Sequence, residues 1–138
     1  MTAAAHIDIE MGRQLDQITR EHGCLHAVLF THDGLVKAAS SRLERDAADR
    51  IAAAMSGLQK LSQQVTEFCD ATTPMTWRRT LVDLDDHTVL VMTAGKLTCL
   101  AVSVAAGMAD DEVAVITQTA VAVVKAMKDH LSTTGRSM

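Results

Sequence analysis

The feature that most constrains this chain is the unbroken stretch Asp46 to Cys69. Ala47, Ile51, Ala54, Met55, Leu58, Leu61, Val65 and Phe68 recur there at three- and four-residue spacings, with no proline and one glycine. Such periodicity predicts one long amphipathic helix. Two capping patterns compete for its start, Ser41 with Glu44 and Asp46 with Asp49. The only proline, Pro74, then stops any helical continuation.

The other segments arrange themselves around this helix. Met11, Leu15 and Ile18 give a first helix from Asp8 to His22, with Gly23 as its stop. Cys24 to Thr31 and Leu35 to Ser40 read as a hairpin about His32-Asp33-Gly34, because Asp-Gly supplies the positive φ of a tight turn. After Pro74, Met75 to Leu84, Thr88 to Thr93 and Leu97 to Val104 read as three extended segments, the first of them the longest strand and an edge strand. Their separators are short enough to force antiparallel neighbours. Asp110 and Asp111 then cap a last helix striped by Val113, Ile116, Ala120, Val123, Met127 and Leu131. The order α-β-β-α-β-β-β-α predicts an α+β fold: a five-stranded antiparallel sheet sandwiched between the long helix and the other two. One domain spans residues 8–131, between a flexible N-terminus at 1–7 and a flexible tail at 132–138.

Composition excludes several functions. A chain of 138 residues builds one core, so separate catalytic and substrate domains are not expected. Aromatic residues are 2%, Phe30, Phe68 and Trp77 alone, which denies the chain base-stacking platforms and aromatic cages. A net charge of −4 disfavours nucleic acid. No apolar run could cross a bilayer, and Asp8 and Glu10 stand where a signal peptide needs an apolar block, so a cytoplasmic location is expected. Cys24, Cys69 and Cys99, odd in number and set among apolar neighbours, read as reduced, buried thiols.

No chemical site emerges. His22, Cys24 and His26 would share one side of a strand, but Gly23 interrupts them and no fourth ligand is near, so no metal is expected. Gly95-Lys96 lacks a Walker motif's glycine at Leu90 and its hydroxyl at Leu97. Asp83, Asp85 and Asp86 read as a strand end and a turn, and there is no nucleophile elbow. Neither an enzyme nor a cofactor is expected.

The element order, together with the segments His26-Ala-Val-Leu-Phe-Thr-His-Asp-Gly-Leu-Val-Lys-Ala-Ala-Ser40, Ile51-Ala-Ala-Ala-Met-Ser-Gly-Leu58 and Val89-Leu-Val-Met-Thr-Ala-Gly95, resembles the roadblock family of dynein light-chain-like proteins from about Met11 to Leu131. It is similar to the short actinobacterial members that accompany a small Ras-like GTPase and a sensor histidine kinase in one operon. Asp111-Glu112-Val113 departs from the Leu-Gly pair that commonly opens the family's last helix. The resemblance implies a homodimer, joined edge to edge through the strand after the long helix, with the long helices side by side. It also implies an activity: binding Ras-like GTPases and modulating their nucleotide cycle.

On this reading, Ala48, Ala52, Met55, Gln59 and Ser62 form a second, mostly small-residue line that becomes the dimer seam, joined by Trp77 and Arg79 from the edge strand. Asp49, Lys60, Gln63 and Glu67 project away from the apolar stripe as the surface offered to a GTPase. The alternative from another class is a small-molecule sensor domain, for which the strands show few convergent polar groups.

Overall fold

A computed structural model describes residues 9–107 and 111–136, with side chains as far as 127. The elements run α1 (Ile9–Thr19), β1 (Cys24–Thr31), β2 (Val36–Ala39), α2 (Arg45–Gln64) continued by a 3₁₀ turn (Val65–Cys69), β3 (Arg79–Asp83), β4 (Thr88–Thr93), β5 (Thr98–Val104) and α3 (Asp111–Arg136). The expected order holds. All five strands join in one antiparallel sheet of order β2-β1-β5-β4-β3.

Strand alternation assigns the two faces. Ala27, Leu29, Leu90, Met92, Leu100 and Val102 point to one side, where Met11, Leu15 and Ile18 of α1 and Val113, Ile116, Ala120 and Met127 of α3 close the larger core. Val28, Phe30, Val91, Cys99 and Ala101 point to the other side and meet α2. The turn between β1 and β2 is as expected, with Gly34 at φ +89° and the Thr31 amide donating to Leu35 O at 2.8 Å. Gly34 is needed twice over, because a Cβ there would also lie 3.3 Å from Ala53 Cα of the passing α2.

Element boundaries differ from expectation in four places. α2 is capped by neither candidate pattern: Glu44 occupies the N-cap with extended backbone and no side-chain bond. Its last turn tightens to 3₁₀ and stops where Asp70 turns left-handed at φ 52°. β3 covers five residues, shorter than the eight of β1, because between Met75 and Arg78 the chain makes a single ladder bond, from the Thr93 amide to Arg78 O. The last helix ends at Arg136, five residues past Leu131; residues 1–8, 108–110, which include the expected cap Asp110, and 137–138 lie outside the described part.

The set His22, Cys24, His26 is taken apart by the backbone. A register shift in the β1–β5 ladder between Cys24 and His26 breaks the period of two. Cys24 turns into the α1–α3 core, His26 lies on the α2 side, and exposed His22 pairs with Glu112 at 3.5 Å. Among the described residues no helix is long and apolar enough to cross a membrane.

Candidate interaction surface

The two stripes of α2 exchange the roles expected of them. Ala48 and Ala52 are completely buried against β1 and β5, with Ser56 and Gln59 continuing the line, while Ile51, Leu61 and Val65 are 41%, 63% and 55% exposed. The physical reason is the floor beneath. Val28 and Phe30 already fill the sheet face, so only small side chains let the helix come close enough to exclude water. Ser56 secures that approach, its Oγ donating to His32 O at 2.6 Å.

The expected seam is therefore corrected for Ala48, Ala52 and Gln59, which face this chain's own sheet. Trp77 and Ser62 are committed within the protomer as well. Trp77 Nε1 donates to Thr80 Oγ1, which donates to Ser62 Oγ, which donates to Leu58 O, each at 2.8 Å. This chain of bonds lashes the end of α2 to β3, with half-buried Trp77 packed on the core. Met55 is half-buried, and Arg79 is exposed at the start of β3.

What α2 shows outward is an apolar stripe of Ile51, Leu61 and Val65 with Ala54 between them, ending at Phe68 with 89% exposure. Helical geometry sets it roughly 140° around the axis from the buried line. It runs toward β3, whose outer edge has no neighbouring strand and which carries exposed Leu81 on one face and half-buried Val82 on the other. Met75 and Leu84 flank that strand, also exposed. A patch of this kind beside an open edge has both the apolar area and the unpaired backbone groups that draw another chain.

Beneath Ile51 and Met55 lies a cavity of about 150 Å³, open on one side and floored by Val28, Val89 and Ala101. His26 Nδ1 and Ser103 Oγ, cross-strand neighbours at its margin, are shut from solvent and find no hydrogen-bond partner among the described residues.

Asp49, Lys60, Gln63 and Glu67 are all exposed, on the opposite flank of α2 from the apolar stripe. Asp49 is held by Arg45 one turn before it, at 3.1 Å. Around Gly57, between those two flanks, a Cβ would meet nothing within 4 Å, so the back of α2 is bare. The acidic turn after β3 is a local structure: Asp86 accepts a 2.6 Å hydrogen bond from His87, which lowers its carboxyl below the usual carboxylate value. Cys24 and Cys99 are buried thiols as expected, whereas Cys69 is exposed on the 3₁₀ turn.

The helix–sheet–helix sandwich therefore carries an apolar helix flank beside the outer edge of β3, one of the sheet's two edges, the other being β2. The chain belongs to the Roadblock/LC7 domain family, whose profile matches residues 11–104. A crystallised Roadblock/LC7 domain from Streptomyces avermitilis is 33% identical, covering 88% of this chain and 97% of that one with a TM-score of 0.76. The fold is shared with the gliding protein MglB of Thermus thermophilus, at 16% identity, 88% and 90% coverage and TM-score 0.69. Myxococcus xanthus MglB shares it too, at 7% identity, 91% and 90% coverage and TM-score 0.74. No curated protein is similar in sequence.

Proposed function

We propose that this chain is a cytoplasmic, non-enzymatic homodimeric module that binds a small Ras-like GTPase, and with it a sensor histidine kinase, and modulates the GTPase's nucleotide cycle. The observation that supports it best is the apolar flank of α2 lying next to the free edge of β3. Pairing two β3 edges would extend the sheet across both protomers and lay the α2 flanks together. An interface of ordinary size buries about 1,200 to 2,000 Å² in total. The backs of the paired helices around Gly57, flanked by Asp49, Lys60, Gln63 and Glu67, then form the floor on which the GTPase docks. Any acceleration of hydrolysis comes from ordering the GTPase's own switch loops, since this chain offers no phosphate-binding loop.

Light scattering on the purified protein should give twice the chain mass. The double variant Ile51→Asp, Leu61→Asp should give one chain mass with unchanged circular dichroism, because both side chains are exposed in the protomer. A wild-type monomer at tens of micromolar, or a variant that still dimerises, overturns the reading.

A sensor of small molecules is the second reading, favoured by the cavity under α2 with its two unpartnered polar atoms. Native mass spectrometry separates the two: a retained metabolite supports the sensor, a bare dimer the module.

A further inference from the structure

Phe68 leaves an aromatic ring almost wholly in water at the C-terminal end of α2. Toward the N-terminal end of the same helix, the cavity under Ile51 and Met55 leaves an apolar hole of about 150 Å³, a volume that in other proteins accepts a benzene ring. Ring and hole match in size and character but cannot meet within one protomer, since most of the length of α2 separates them.

A two-fold interface brings them together. In an isologous contact, residue i of one copy meets residue j of the other, and j meets i, so a knob and its hole belong on the same patch. The Ser62–Thr80 hydrogen bond holds that part of α2 beside the middle of β3, so an axis at the middle of β3 carries that level of α2 with it. Two β3 edges paired about an axis near Leu81 run antiparallel, and their α2 helices then pass one another, antiparallel, at about the level of Ser62. From that level Phe68 lies roughly 10 Å toward the C-terminus and Met55 roughly 10 Å toward the N-terminus, at 1.5 to 2.0 Å per residue. Each Phe68 therefore arrives at the partner's Met55.

We propose that Phe68 of each protomer seats in the other's cavity, between Ile51 and Met55 above and Val89 and Ala101 below, so that two identical plugs lock the dimer. This rests on the dimer reading above and names the residue that anchors it.

The test replaces Phe68 with p-benzoylphenylalanine, mixes ¹⁵N-labelled and unlabelled protein, confirms the mass by light scattering, irradiates, and maps the crosslinks after digestion. Crosslinks between labelled and unlabelled chains, from position 68 to Leu43, Ile51 or Met55, are expected. In parallel, Phe68→Ala should weaken dimerisation at least tenfold in sedimentation equilibrium with no change in circular dichroism, and Phe68→Leu should recover part of the loss. A dimer whose crosslinks fall elsewhere, or that Phe68→Ala leaves equally tight, overturns the plug and leaves the dimer standing. A wild-type monomer overturns both.

Discussion

Cys69 is the thiol a reagent in solvent can reach; the other two lie in separate cores, Cys24 toward α1 and α3, Cys99 beneath α2. Burial, reinforced by the nearby Glu21 carboxylate, pushes the Cys24 thiol up to about 11, and burial alone pushes Cys99 to about 11. Native protein should thus react with Ellman's reagent once per chain within minutes, and three times after denaturation. The same burial makes stability depend on alkaline pH. Below pH 9 the thiols are neutral whether folded or unfolded, so nothing is lost. Between pH 9 and about 11 only the unfolded chain ionises them, which draws the equilibrium toward unfolding. The thermal midpoint of the wild type should fall across that window, and less steeply in Cys99→Ala, as a pH series of thermal melts would show.

For the elements, α2 decides the most, because its two stripes differ in size and only one could lie on the sheet. The consequence is a pair of contrasting substitutions two residues apart. Ala52→Leu forces extra methyl groups into a filled contact and should cost about 1 to 3 kcal/mol. Ala54→Leu adds the same atoms to a position exposed in the protomer, on the flank proposed for the dimer, and at protein concentrations low enough to keep the chain monomeric it should stay within about 0.5 kcal/mol. Urea denaturation of the two variants checks this, and equal midpoints would mean that the helix sits the other way round. Ala52→Arg would unfold the protomer instead of parting a dimer, since a charge would be buried with no partner.

For the whole molecule, the proposed function divides the surface in three: the apolar flank of α2 with the β3 edge for a second copy, the charged flank and back of α2 for a partner, and a face closed by α1 and α3. Charges at the rim of a docking surface act on association rate and its salt dependence more than on lifetime. Reversing Lys60 and Glu67 together should therefore slow association with the cognate GTPase by roughly tenfold at low salt, with little change in dimer mass or thermal midpoint. Stopped-flow measurement at two ionic strengths would show it, and unaltered kinetics would move the docking surface to α1 and α3.

Local chemistry along the chain determined the elements themselves. Three-and-four periodicity makes α2 and α3, Asp33-Gly34 makes the first turn, and short separators make β3, β4 and β5 antiparallel, since each depends on residues a few positions apart. That Asp49, Lys60, Gln63 and Glu67 stand in solvent was legible for the same reason: water accepts polar side chains wherever the helix faces it. Which apolar stripe of α2 turns inward was not legible, because periodicity gives the angle between two stripes and says nothing of what lies beneath either. That was decided by Val28 and Phe30, some twenty residues away in sequence and directly under Ala48 and Ala52 in space. The bulge that parts Cys24 from His26, and the Trp77–Thr80–Ser62 chain that fixes α2 against β3, are likewise set by neighbours that only the folded sheet supplies.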